Sequence, residues 1–104
     1  MQPHAGTMIR DLDGTLRVQG DLGIDEEKAF ASAIRGLVSS EHADLVIDLA
    51  DVRYISSAYA SEIALALVHA AEQGRSVTVR ASDKVAHILS LCGIDALGKV
   101  EVVE

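Results

Sequence analysis

The chain has 104 residues, enough for one domain around a single core. Its 16 Asp and Glu outnumber 9 Lys and Arg, and the formal net charge of −7 excludes recognition of nucleic acid or of an anionic membrane through bulk charge. Apolar residues make up 49% and aromatics only 3%, without tryptophan, so the core has to be built from Leu, Ile, Val and Ala.

Residues 1–6, "MQPHAG", carry no apolar signal region and read as a loose leader, leaving residues 7–104 as a single domain. No apolar run approaches the roughly 18 residues of a membrane span, and the lone Cys92 excludes an internal disulfide. A soluble, cytoplasmic protein without membrane insertion is expected, in a reducing compartment. "TMIRDLDGTLRVQGDL" reads as strand, turn and strand, with Asp13-Gly14 as the hairpin turn. A helix is predicted from about residue 24, with Asp25, Glu26 and Glu27 at the positive end of its dipole. Phe30, Ile34 and Leu37 share its apolar stripe. "DLVIDL", residues 44–49, is a short buried strand. A long helix follows from about residue 58, with Ser56 or Ser57 as its N-cap and Gly74 beyond its end. "SVTVRA" alternates as a strand, Ser82 caps the helix "DKVAHILSLC", Gly93 ends it, and "KVEVVE" is a last short strand, read as an edge. The order β-β-α-β-α-β-α-β predicts an α/β fold: a mixed, mainly parallel β-sheet with helices packed mainly on one side and right-handed crossovers.

Residues with chemistry are few. "DLDGTL", residues 11–16, resembles the opening motif of haloacid-dehalogenase-type phosphatases, with Asp11 as nucleophile, Asp13 as general acid and base, and Mg²⁺ between them. That chemistry needs its first Asp at the end of a buried parallel strand and a distal acidic pair, and neither is visible, so a hairpin turn is the better reading. His4, His42, His69 and His87 show no ligand spacing, and Cys92 has no Cys or His two to four residues away. Ser57 sits in no G-x-S-x-G elbow. A protein with no catalytic residues, no metal and no cofactor is expected.

"LVIDLADVRYISSAYASEIALAL", residues 45–67, carries a different pattern. Asp48-Leu49, Val52 and Tyr54-Ile55 occupy the places of Asp-Leu, Val and an aromatic–aliphatic pair. The later "AAEQGRSVTVRASDKVAHILSLCGIDAL" and the earlier "DGTLRVQGDL" fit the same pattern in order, so that it covers about residues 7–103. The whole resembles the STAS domain, the fold of bacterial anti-sigma factor antagonists. The resemblance implies partner switching, in which a kinase phosphorylates the second hydroxyl residue of an Asp-Ser-Ser-Gly or Asp-Ser-Thr-Gly motif at the start of the central helix. Here those four positions read Ser56-Ser57-Ala58-Tyr59, so Ala58 stands in the acceptor position without a hydroxyl. Ser57, one residue away, is the candidate for phosphorylation in its place.

On a helix of 3.6 residues per turn, Ala60, Ile63, Ala66, Leu67 and Ala70 face the core, while Ala58, Ser61, Leu65, Val68, His69 and Glu72 face outward. Leu65 and Val68 on adjacent outward turns suggest docking rather than solvation. Ser56, Ser57, Ala58, Tyr59, Ser61, Leu65 and Val68 are therefore the candidate partner-binding residues. The resemblance implies a protein partner: an anti-sigma factor or switch kinase, or else the ATPase of an ABC-type lipid transporter on which small STAS subunits dock.

Overall fold

A computed structural model describes residues 8–103; the leader assigned to residues 1–6 lies outside them. A hairpin of β1 (Met8–Leu12) and β2 (Thr15–Gln19) opens the fold. There follow α1 (Glu27–Ser39), β3 (Asp44–Leu49), α2 (Ser57–Glu72), β4 (Ser76–Ala81), α3 (Asp83–Leu91) and β5 (Lys99–Val102). The strands lie in the order β1-β2-β3-β4-β5; β1 is antiparallel to β2 and every later pair is parallel. Right-handed crossovers that step along a sheet in one direction put every connecting helix on one face. The burial pattern obeys this: Leu16, Val18, Leu45, Ile47, Leu49, Val77, Val79 and Ala81 alternate into the core against Phe30, Ile34, Ile63, Leu67, Val85 and Leu89. The mixed, mainly parallel sheet with helices on one side is as expected.

The turn reading of Asp13-Gly14 is borne out, since both residues have positive φ, +54° and +81°. Two such residues are what a tight hairpin matching the strand twist requires. A Cβ on Gly14 would lie 3.0 Å from the His42 ring and 3.2 Å from the Asp44 carbonyl. Gly14→Ala is expected to destabilise the fold by about 1–2 kcal/mol, read as a lower denaturant midpoint at unchanged slope.

The first helix begins slightly later than its sequence suggests. Residues Ile24–Glu26 form a 3₁₀ turn, because the Gly23 N–H donates to the Glu26 carboxylate at 2.8 Å and tightens the entry. At the far end of α1, the Arg75 guanidinium donates to the carbonyls of Ser40 at 2.6 Å and Val38 at 2.5 Å. It thereby serves carbonyls the helix leaves unpaired and neutralises the negative end of its dipole. Ser82 accepts from the Val85 N–H at 3.3 Å and Gly93 adopts φ +79°, so α3 starts and stops at the residues read from the sequence.

The other face of the sheet meets no described helix. On it Arg17, Asp48, Arg80 and Glu101 stand side by side across four strands, one residue from each. Asp48 is only 6% exposed and is the sole buried charged residue among those described. Its carboxylate accepts from the Arg80 guanidinium and from the Ala50 N–H, each at 3.1 Å, and Arg80 also reaches Glu101 at 3.4 Å. Buried charge is tolerated where its lone pairs are met in this way.

Candidate functional site

The segment from β3 to α2 is held at two points. Val52 and Ile55 are buried and pin it to the core, which leaves Arg53 and Tyr54 facing outward. Arg53 donates through its backbone N–H, at 3.3 Å, and its guanidinium, at 2.7 Å, to Asp21 in the connection after β2. The hydrogen bond from Arg53 holds the Asp21 carboxyl below the usual carboxylate range. Two connections that lie far apart in sequence are thus tied beside the start of α2.

Ser56 occupies the N-cap position in an extended conformation, as expected, yet its side chain makes no capping hydrogen bond. Ser57 and Ala58, the first residues of the helix, are exposed, as is Ser61 one turn on. Leu65 is 66% exposed and Val68 is 42% exposed, while Ala60, Ile63, Ala66, Leu67 and Ala70 are buried. The division of α2 into an inward and an outward face is therefore as the helical spacing gave it. Leu65 also edges a groove of about 420 Å³ between α1 and α2, floored by Ile34, Val38 and Ala66 and rimmed by Arg35, Ser39, Glu62 and His69. The groove is built by two helices together, and no single stretch of sequence announces it.

Tyr59 does not belong to the outward surface. It is 2% exposed, its hydroxyl donates to the Gly23 carbonyl, and its ring stands edge-on to Phe30 at a centroid distance of 5.1 Å. Burial pushes its pKa up to about 12, with the carboxylates of Glu26, Glu27 and Asp25 adding to the shift. The reason is its phase: residues 59, 63, 66 and 70 follow the i, i+4, i+7, i+11 stripe of a buried helix face. That signal is present in the sequence, but the alignment of Tyr59 with a motif glycine hides it. The exposed apolar side chains flanking the helix start, Ile24 and Tyr54, escaped sequence reasoning for the opposite reason, because neither lies on a periodic element.

The phosphatase geometry is not assembled. Asp11 lies on β1, the antiparallel outer strand, and Asp13 lies in the turn itself. Among the described residues no group of His, Cys, Asp and Glu is placed to hold a metal ion, and no helix is long and apolar enough to cross a membrane.

A family model described as "Mlab, STAS domain" matches residues 6–103. A search of curated proteins finds no match. Among solved structures, an anti-sigma factor antagonist from Mycobacterium paratuberculosis is similar at 23% identity and a TM-score of 0.75, over 94% of this chain and 86% of that one. A chain in the structure of the Pseudomonas aeruginosa diguanylate cyclase SiaD with its activator SiaC matches at 19% identity and a TM-score of 0.66, over 93% of this chain and 90% of that one. SiaC of Pseudomonas aeruginosa matches at 20% identity and a TM-score of 0.62, over 86% of this chain and 81% of that one. At these identities the likeness is one of fold.

Proposed function

Because the chain belongs to the STAS domain family, we propose that it is a non-enzymatic regulatory protein that works by binding a protein partner through the start and outward face of α2. The observation that carries this reading is the exposure of Leu65 and Val68 on a helix whose other side is packed throughout. Apolar side chains on successive turns, beside the small residues Ala58 and Ser61, let a partner approach closely and lose water there. The partner is an anti-sigma factor or switch kinase, and binding releases whatever that partner restrains.

Phosphorylation at a helix start would add about −1.5 to −2 charges, next to a dipole end that holds anions well. Ala58 cannot accept the group, so binding is not switched off at that position. Incubation with an isolated kinase partner and ATP is expected to leave the intact mass unchanged. A stoichiometric gain of one phosphate, lost in Ser57→Ala, would instead place the switch at Ser57. The missing hydroxyl at Ala58 also favours a second reading, a permanent subunit docked on the ATPase of an ABC-type lipid transporter, which needs no phosphoryl switch. Affinity capture from the host, with Leu65→Glu as the control bait, separates the two: a kinase-type ATPase favours the first, an ABC ATPase the second. Equal capture by the control removes α2 as the docking face.

A further inference from the structure

The open face of the sheet carries a charge pattern that is its own complement. In strand order from β2 to β5 the row reads Arg17, Asp48, Arg80, Glu101, with signs alternating at every step, and at the β1 edge, beyond this alternation, the register places Arg10 next to Arg17. The neighbouring row reads Thr15, Val46, Thr78, Lys99. Within these two rows three cations face two anions, and Asp44 in the next row, beside Ser76, brings the three rows into balance on a chain of net charge −7.

The geometry points to this face as the contact between two copies of the chain, related by a two-fold axis parallel to the strands and passing between β3 and β4. Such an axis reverses the order of strands without exchanging the rows. Arg17 then meets the second copy's Glu101, the buried Asp48 lies opposite the second copy's Arg80, and Val46 lies opposite Thr78, each relation occurring twice as an isologous interface requires. A two-fold axis across the strands would instead set each charge opposite its own kind, which is destabilising. The alternation thus selects one arrangement and rejects the other, and two twisted sheets pack face to face in roughly this aligned manner. Asp48 and Arg80 are already ordered by their mutual hydrogen bond, so fewer side chains have to be immobilised on association. The contact spans four of the sheet's five strands, spaced about 4.8 Å apart, which places it at the weak end for specific interfaces. Because the helices lie on the opposite side of each sheet, the pair would present two outward-facing α2 helices to partners, a bivalent arrangement.

Sedimentation velocity at about 0.15 M ionic strength tests this, since repulsion between the net charges is screened beyond about 8 Å there while touching side chains are not. Across roughly 10 μM to 1 mM protein, a monomer–dimer equilibrium is expected. Arg17→Glu sets like charges opposite one another twice and should raise the dissociation constant about tenfold or more; Glu101→Arg should do the same. Both side chains are exposed, but Arg17 flanks Asp48 and Glu101 pairs with Arg80 within the sheet, so thermal unfolding of each variant accompanies the sedimentation. The neutral Arg17→Gln, which brings no like charge beside Asp48, should weaken the dimer in the same direction. Arg17→Glu combined with Glu101→Arg restores the complementarity and should restore the dimer, which a purely intramolecular ladder does not predict. A monomer throughout the range, a dimer indifferent to Arg17→Glu, or failure of the double exchange to rescue would each overturn the proposal.

Discussion

Tyr59→Ala is expected to lower the stability of the fold by about 3–5 kcal/mol, against a total of about 5–15 kcal/mol for a small domain. The aromatic ring is enclosed between the start of α2 and the start of α1, edge-on to Phe30, and its removal leaves a cavity that the surrounding helices cannot fill. The hydroxyl adds a separate effect. It holds the Gly23 carbonyl, and with it the connection that precedes α1. Tyr59→Phe keeps the ring and leaves that carbonyl with the Glu26 N–H, at 3.3 Å, as its donor, at a cost of about 1 kcal/mol. The same hydroxyl predicts an alkaline loss of stability. Its pKa rises from an ordinary 10.0 to about 12 because burial disfavours the phenolate. The folded state therefore holds the proton more tightly than the unfolded chain. This contribution is complete below pH 10 and is lost as pH rises through about 12. Denaturant unfolding at pH 7, and again between pH 9 and 12, measures all three effects. The gap between the native chain and Tyr59→Phe should narrow at high pH. A Tyr59→Ala loss below 1 kcal/mol would show that the ring does not wedge the two helices together.

How far the sequence reveals this architecture depends on how local each signal is. "DLVIDL" is legible because a β-branched run bounded by polar turns has one good conformation, and β3 occupies residues 44–49 as read. The turn at Asp13-Gly14 is legible because two successive left-handed residues are needed and those residue types supply them. The inward and outward faces of α2 follow from periodicity alone. What fails is what depends on register or on another element. Asp48 reads as one member of a motif, yet its partner is Arg80, set opposite it by the β3–β4 register across the whole of α2. The late start of α1 follows from one Glu26–Gly23 hydrogen bond that no apolar spacing records. Tyr59 is of another sort: its helical phase sets it on the buried stripe with Ile63, Ala66 and Ala70, while its place in the family motif points to the surface.

The contrast between adjacent residues of α2 gives the most direct test of the docking surface. Ile63 is wholly buried beneath the sheet side of the helix. Ile63→Glu forces a carboxylate into an aliphatic core with no partner, at a cost of several kcal/mol, and is expected to unfold the domain. Leu65 lies two residues on, about 200° around the helix, and Val68 lies one turn beyond it. Both are exposed, so Leu65→Glu or Val68→Glu should change folding stability by no more than about 0.5 kcal/mol. At the centre of a bound partner's footprint the same carboxylate would be desolvated and unpaired, costing about 2–4 kcal/mol of affinity, a loss of about 30-fold to nearly a thousandfold. Thermal unfolding of the three variants, alongside binding of each folded one to the captured partner, separates the two roles. If Leu65→Glu and Val68→Glu melt as low as Ile63→Glu, both residues are structural. If they fold and bind as the native chain does, the partner docks elsewhere. Retained folding with lost binding is the expected result, because on this helix the packed face holds the domain together while Leu65 and Val68 of the other face stand largely in solvent.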